Sequence, residues 1–305
     1  MAVVRMRFTG SGAGKTYIDI AKALSLQERK LHRQKKLYTI YGGYFVDGSQ
    51  GDNISRVNLN TAPNTWVTRT AVNRSFRIWK RMISETLKST EGLKPGKYND
   101  FKLFLNNNHG STPMLPKDAN GQDLYLSNGP EWDYSTLTSA DPAETGQGNS
   151  IDADAFELKI VGEHGGAVQN EGNQAGWTRI GVVRSWLDSR PRISDAQPEA
   201  SVGASADPLA NLFDSGDVDD DRITIIESEG DQAPYDEVSM FGMNHANVTA
   251  DYNLQRQSVA TATKQMPVGP VHGFQALCGL IQVDVTSAHE SWELVLDVES
   301  VGEEF

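Results

Sequence analysis

The chain has one cysteine in 305 residues, Cys278, so no internal disulfide is possible. That cysteine sits in the apolar run ALCGLIQV and reads as an inert core thiol. Long apolar runs are lacking: none approaches the ~20 residues that span a bilayer, so no membrane span is expected. The first sixteen residues, MAVVRMRFTGSGAGKT, lack the apolar centre of a secretion signal. Six histidines (His32, His109, His164, His245, His272 and His289) never fall at metal-ligand spacing with one another or with Cys278. No GxSxG nucleophile motif occurs, and no carboxylate is singled out by its neighbours. These absences point away from an enzyme.

Charge is present but unevenly spread. Residues 1–105 hold 19 Lys+Arg against 7 Asp+Glu, a net of +12. Residues 106–305 hold 9 against 33, a net of −24, and the two halves give the whole-chain −12. Such a split suggests one surface that meets a polyanion and another that stays acidic.

The most patterned stretch is residues 56–90. Val57, Leu59 and Thr61 alternate with Asn58 and Asn60, the period of a half-buried strand. Ala62-Pro63-Asn64 breaks it. Val72, Phe76, Trp79 and Ile83 then recur at helical spacing, with Arg74, Arg77, Arg81 and Lys88 in a row nearly opposite. A solvated helix face explains such a row, and so does contact with something negative. An earlier helix is expected over residues 17–34, from Ile20, Ala23, Leu24 and Leu31, with Arg29, Lys30, Arg33, Lys35 and Lys36 crowding its end.

A short strand or an extended arm carrying Arg5 and Arg7 is expected at residues 3–8, and strands at residues 37–46, 101–105, 123–126, 155–161, 178–183, 222–227, 237–241, 274–285 and 292–298. A helical turn fits residues 184–188. After residue 98 helical periodicity nearly vanishes, which excludes alternating strands and helices in a parallel sheet. The expected fold is mainly β: an antiparallel jelly-roll sandwich with two amphipathic helices in the N-terminal third. Its expected division is a basic arm and helix over residues 1–36, then one domain over residues 37–305 with long surface loops.

Three features invite other readings. Gly10 to Thr16, GSGAGKT, resembles a phosphate-binding loop, with Lys15 and Thr16 in place and Asp297 after an apolar strand as a magnesium carboxylate. The loop is one residue short, since Thr9 stands where the first glycine belongs. Asp217, Asp219 and Asp221 begin like a calcium loop, yet Arg222 replaces the glycine of its sharp turn, leaving at most a weak Ca²⁺ site. Trp132, Trp177 and Trp186, if exposed, would suit a monomeric sugar-binding sandwich.

Three segments taken together resemble the capsid proteins of small circular Rep-encoding single-stranded DNA (CRESS-type) viruses. They are YIDIAKALSLQERKLHRQKKLYTI (residues 17–40), VNLNTAPNTWVTRTAVNRSFRIWKRM (57–82) and GFQALCGLIQV with WELVLDVE (273–299). The resemblance covers about a third of the chain and lies in texture and order. It implies a jelly-roll subunit that self-assembles into an icosahedral shell, a virion protein without catalytic residues or cofactor. Its partners would be copies of itself and single-stranded DNA. The matching genome-contacting positions are Arg5, Arg7, Lys15, Arg29, Lys30, Arg33, Lys35 and Lys36. The arm is sparse compared with the arginine-rich arms of that family, which shifts the burden to Arg74, Arg77, Arg81 and Lys88. Tyr38, Tyr41, Tyr44 and Trp79 lie near these cations and suit either the core or stacking on unpaired bases.

Overall fold

The computed structural model describes residues 2–47, 54–89, 94–109, 113–125, 132–140, 153–162, 164–169, 175–189, 254–286 and 291–305. The fold is mainly β, built on two packed sheets that are antiparallel apart from one short edge pair. The first has the strand order β1 (Val3–Ser11), β13 (Ser291–Glu299), β3 (Leu37–Asp47), β11 (Val268–Leu277). The second runs β10 (Gln255–Ala262), β4 (Ser55–Thr61), β12 (Leu280–Thr286), β2 (Gly14–Asp19), with the two-residue β5 (Pro113–Met114) parallel at its edge. The pairings nest. β1 takes β13, β2 takes β12, β3 takes β11 and β4 takes β10, so the chain ends pair outermost and the middle pairs last.

Alternation explains the core between these sheets. Met6 and Phe8 of β1 stand opposite Leu296 and Leu294 of β13, and all four are buried. Val57 and Leu59 face the same core from β4, with Ile281, Val283 and Val285 from β12. Each such side chain contributes roughly 1.5–3 kcal/mol on burial. β12 is buried on both faces, because a second core lies over the second sheet. That core is supplied by residues between β4 and β10. They form α2 (Trp66–Ser89), α3 (Val182–Asp188) and a third sheet, ordered β6 (Thr136–Ala140), β7 (Ala153–Lys159), β9 (Ala175–Gly181), β8 (Gly165–Gln169). Val67, Ala71 and Val72 of α2 pack there with Tyr17 and Leu280 of the second sheet.

Several expectations need correction. Residues 1–36 are not an arm ahead of the sandwich: β1 and β2 are strands of its two sheets. The first helix is α1 (Ile20–Glu28), much shorter than residues 17–34. Tyr17 and Ile18 remain in β2, Asp19 caps the helix by accepting from Lys22 N–H at 3.1 Å, and Arg29 ends it in the left-handed conformation, φ 54°. Residues 274–285 form two strands, not one. Cys278 and Gly279 turn the chain with φ 58° and 66°, handing it from the first sheet to the second. Residues 101–105 make only a bridge, Phe104 to Lys159, although Phe101, Leu103 and Leu105 are buried. Residues 123–126 form no strand among the described positions, and residues 222–227 and 237–241 lie outside the described residues. α2 begins where Pro63 implied: Thr65 Oγ1 accepts from Thr68 N–H at 3.2 Å as its cap. Among the described residues no helix is long and apolar enough to cross a membrane.

His109 is buried in an aromatic nest. Its ring stacks on Tyr17 at 5.1 Å and meets Phe104 edge-on at 5.7 Å. Its Nδ1 accepts from Leu105 N–H at 3.0 Å, so the neutral form carries its proton on Nε2. Burial, with Arg179 and Lys22 nearby, lowers its pKa to about 3. The unfolded chain takes up this proton near pH 6.5 and the folded chain does not. Stability from His109 is therefore complete above pH 6.5 and lost as pH falls towards 3, by as much as about 5 kcal/mol. Melting temperatures measured across that range should fall steeply in the native protein and less steeply in His109→Gln. Equal acid sensitivity in both would reject the assignment.

Candidate nucleic-acid interface

The twelve cations named from the sequence fall into two groups. Seven have partners inside the fold. Arg5 is bidentate on Asp297, at 2.7 and 2.8 Å, directly across the β1–β13 pair. Arg7 meets Glu293 at 2.7 Å, Lys30 meets Glu28, Lys36 meets Glu304 at 4.0 Å, and Arg81 meets Glu85 at 2.7 Å. Lys35 donates to the Phe305 carbonyl at 3.1 Å and lies over the Phe76 ring. Lys15 lies opposite Asp284 in β2 and also has a partner. The exposed pairs among these contribute little stability. The other five, Arg29, Arg33, Arg74, Arg77 and Lys88, are exposed and make no ion pair or side-chain hydrogen bond among the described residues. Arg74, Arg77 and Lys88 share the outer face of α2 with exposed Lys80 and with Arg81. Phe76 and Trp79 turn inward onto Phe101, at 5.6 and 5.7 Å. The helix thus has the two faces its periodicity implies.

The structure also builds a groove that the motifs did not announce. It holds about 230 Å³ and is lined by Lys22 of α1, Arg29 at its end, Lys30, Tyr98, Lys102 and Trp132. A second hollow, containing Lys97 and Asp133, shares Tyr98 and Lys102 with it. Lys102 lies 4.9 Å from the Trp132 ring and Lys97 lies 5.4 Å from that of Tyr98. Trp132 is fixed through its edge, since its Nε1–H donates to Asp19 Oδ2 at 2.9 Å. The same oxygen accepts from Gln34 Nε2 at 3.0 Å, and Gln34 in turn holds the Leu103 backbone. Burial pushes the Asp19 carboxyl above the usual range and Lys22 below its usual value. One signal for the groove existed in the sequence: KPGKYNDFK, residues 94–102, alternates cations with aromatics.

The competing motifs do not assemble. Gly10 and Ser11 end β1, and Gly14, Lys15 and Thr16 begin β2, so the supposed phosphate loop is a corner between sheets. A side chain at Gly10 would strike the Trp292 ring, and Trp292 Nε1–H donates to the Gly12 carbonyl at 3.1 Å. Asp297 is occupied by Arg5, which holds its carboxyl below the usual range. Trp186 is buried edge-on to Trp66 at 5.5 Å, so it is no exposed sugar platform. Tyr38 is buried, its hydroxyl donating to the Arg33 carbonyl at 2.6 Å, whereas Tyr41 is exposed. Asp217, Asp219 and Asp221 and the Trp177 side chain lie outside the described residues.

Fold and site together define a mainly β protein with an exposed cation row and a basic, aromatic-walled groove. No protein-family model, curated protein or solved structure matches the chain.

Proposed function

We propose that the chain is a structural shell subunit: a jelly roll that assembles with copies of itself and packages single-stranded DNA through its basic surface. The strand order carries the reading. Number the eight sandwich strands in sequence, so that β10 to β13 become strands five to eight. The sheets then run 1-8-3-6 and 5-4-7-2. A long hairpin ribbon pairs 1 with 8, 2 with 7, 3 with 6 and 4 with 5. Rolling that ribbon up sends alternate pairs to opposite sheets, which yields these two orders.

Jelly rolls serve viral shells, lectins and cupins. The space between the sheets is filled by side chains such as Phe8, Tyr38, Phe45 and Trp292, which suits a load-bearing wall better than a ligand barrel. The charge split supports the remainder. The unpaired cations after α1 and on α2 belong to the net-positive first 105 residues, and phosphate contacts of this kind need no base sequence. The acidic remainder suits a surface that repels nucleic acid.

The test is negative-stain electron microscopy of the purified protein at low and high salt. Uniform closed shells are expected. A monodisperse small species at every salt concentration, with and without DNA, would overturn the proposal.

A further inference from the structure

We infer that the groove between α1 and residues 97–102 is a subsite for one unpaired nucleotide: the base stacks on Tyr98 and the flanking phosphates meet Lys22, Arg29 and Lys102. This rests on the reading of the chain as a nucleic-acid-binding subunit and specifies where and how it reads the strand.

Lys102 is the central observation. It is 5 % exposed and lines the groove, yet it forms no ion pair among the described residues. Its neighbours Asp100 and Asp133 are both acids, but neither comes within salt-bridge distance of it. A buried ammonium is costly unless an anion meets it. Its one close partner is the face of Trp132, which attracts a cation but does not neutralise it. Among the described residues Lys22 and Arg29 also form no ion pair, although Asp19 attracts Lys22 and Asp100 attracts Lys102 at longer range, and Lys30 shares Glu28 with His32. Several cations therefore converge on a space where no carboxylate of the described residues pairs directly with Lys22, Arg29 or Lys102.

The walls select among anions. Tyr98 is 61 % exposed, an unusual position for a large aromatic, and only Lys97 lies over its ring. An inorganic anion or a sulfated sugar uses the cations and gains nothing from that ring. A nucleotide uses both, because every base has a π face. Duplex DNA keeps its bases stacked inside, so it reaches the cations alone. The groove should thus discriminate single from double strands without reading sequence.

The experiment measures fluorescence anisotropy of three labelled probes: oligothymidylate, the same oligomer without bases, and a duplex of equal length. Tyr98→Ala should weaken oligothymidylate about tenfold and leave the abasic oligomer unchanged. Lys102→Met should weaken both single strands and lower the salt slope by about one, with Lys102→Arg restoring it. Arg77→Ala, on α2, should weaken all three probes alike. Oligothymidylate binding within twofold of native in Tyr98→Ala would overturn the inference, and so would an equal loss for the abasic oligomer. Tyr98 is exposed, so its variant decides the matter even if Lys102→Met fails to fold. Shells that form normally while Tyr98→Ala has no effect would sink the groove and keep the shell. A Tyr98 effect in a protein that never assembles would do the reverse.

Discussion

Gly43→Ala is expected to lower the melting temperature by about 10 °C or to leave the protein insoluble. Gly43 lies in β3, paired with Leu296 of β13 on one side and Val271 of β11 on the other. A Cβ there would sit 1.9 Å from the Val295 carbonyl oxygen and 2.9 Å from its carbon. Both atoms are backbone, so no rotamer change relieves the clash. The two strands must separate, and they cannot do so locally, because β13 carries the inward row Trp292, Leu294, Leu296 and Val298 on its other register positions. The site is also where the β3–β13 register slips, between Asp297 and Val298, leaving Tyr41 as the extra residue. Gly96→Ala is the matched comparison: nothing lies within 4 Å of its added Cβ, and it should change stability by less than ~0.5 kcal/mol. Differential scanning fluorimetry reads both. Gly43→Ala melting within a degree or two of the native protein would reject the account.

That glycine had no signal in the sequence, whereas its strand did. β1, β3 and β13 were legible because one of their faces is largely buried and the other more open, and β4 because its outer positions Arg56, Asn58 and Asn60 are polar even though Asn58 is buried, so apolar residues alternate. β12 was not, because the second core covers its outer face and both sets of side chains are buried. Alternation disappears in that case, and β11 and β12 merge into one apolar run. The break between them is Cys278-Gly279, and Cys278 is not a residue that marks turns. At the other end, β2 passes into α1 at Asp19 without an intervening loop, so a single helix over residues 17–34 was the natural reading. The cation row on α2 was legible because one helix carries it. The groove was not, because it is assembled from residues 22–30, residues 97–102 and Trp132, which only the tertiary fold brings together.

The insertion explains why those pieces meet. The two packed sheets themselves need only a short link between β4 and β10. The chain instead places α2, α3 and a third sheet there, over the outer face of the second sheet. Phe101 packs against α2 through Phe76 and Trp79, while its neighbours Tyr98 and Lys102 face α1. One segment therefore ties the α2 cation row to the groove, and an extended strand of nucleic acid has cations to follow from one to the other.

Asp19 is the joint of that arrangement, and its replacement carries the second large expected effect. Its Oδ1 caps α1, and its Oδ2 accepts from Gln34 and Trp132, so one carboxylate links the two-sheet body to the insertion. Asp19→Ala removes the cap, worth about 1 kcal/mol, and leaves the buried Gln34 amide and the part-buried Trp132 N–H without their shared acceptor, worth a further ~1–3 kcal/mol. Asp19→Asn separates the two effects. Asparagine caps as well as aspartate, but its amide turns an NH₂ towards the Gln34 and Trp132 donors. Both variants should therefore be destabilised by about 3 kcal/mol despite the preserved cap in the second. Burial raises the Asp19 pKa, so between the ordinary and the raised value the folded chain holds a proton that the unfolded chain has released. The stability this gives is complete below the ordinary carboxylate range and lost as pH rises through the raised value, opposite in direction to His109. Asp19→Asn lacks that slope. Chemical denaturation of the native protein and both variants at several pH values checks each part. Asp19→Asn as stable as the native protein at neutral pH would show that the capped helix alone mattered and that Trp132 is held by packing. A parallel loss in both variants would show that the carboxylate holds the two-sheet body and the insertion together.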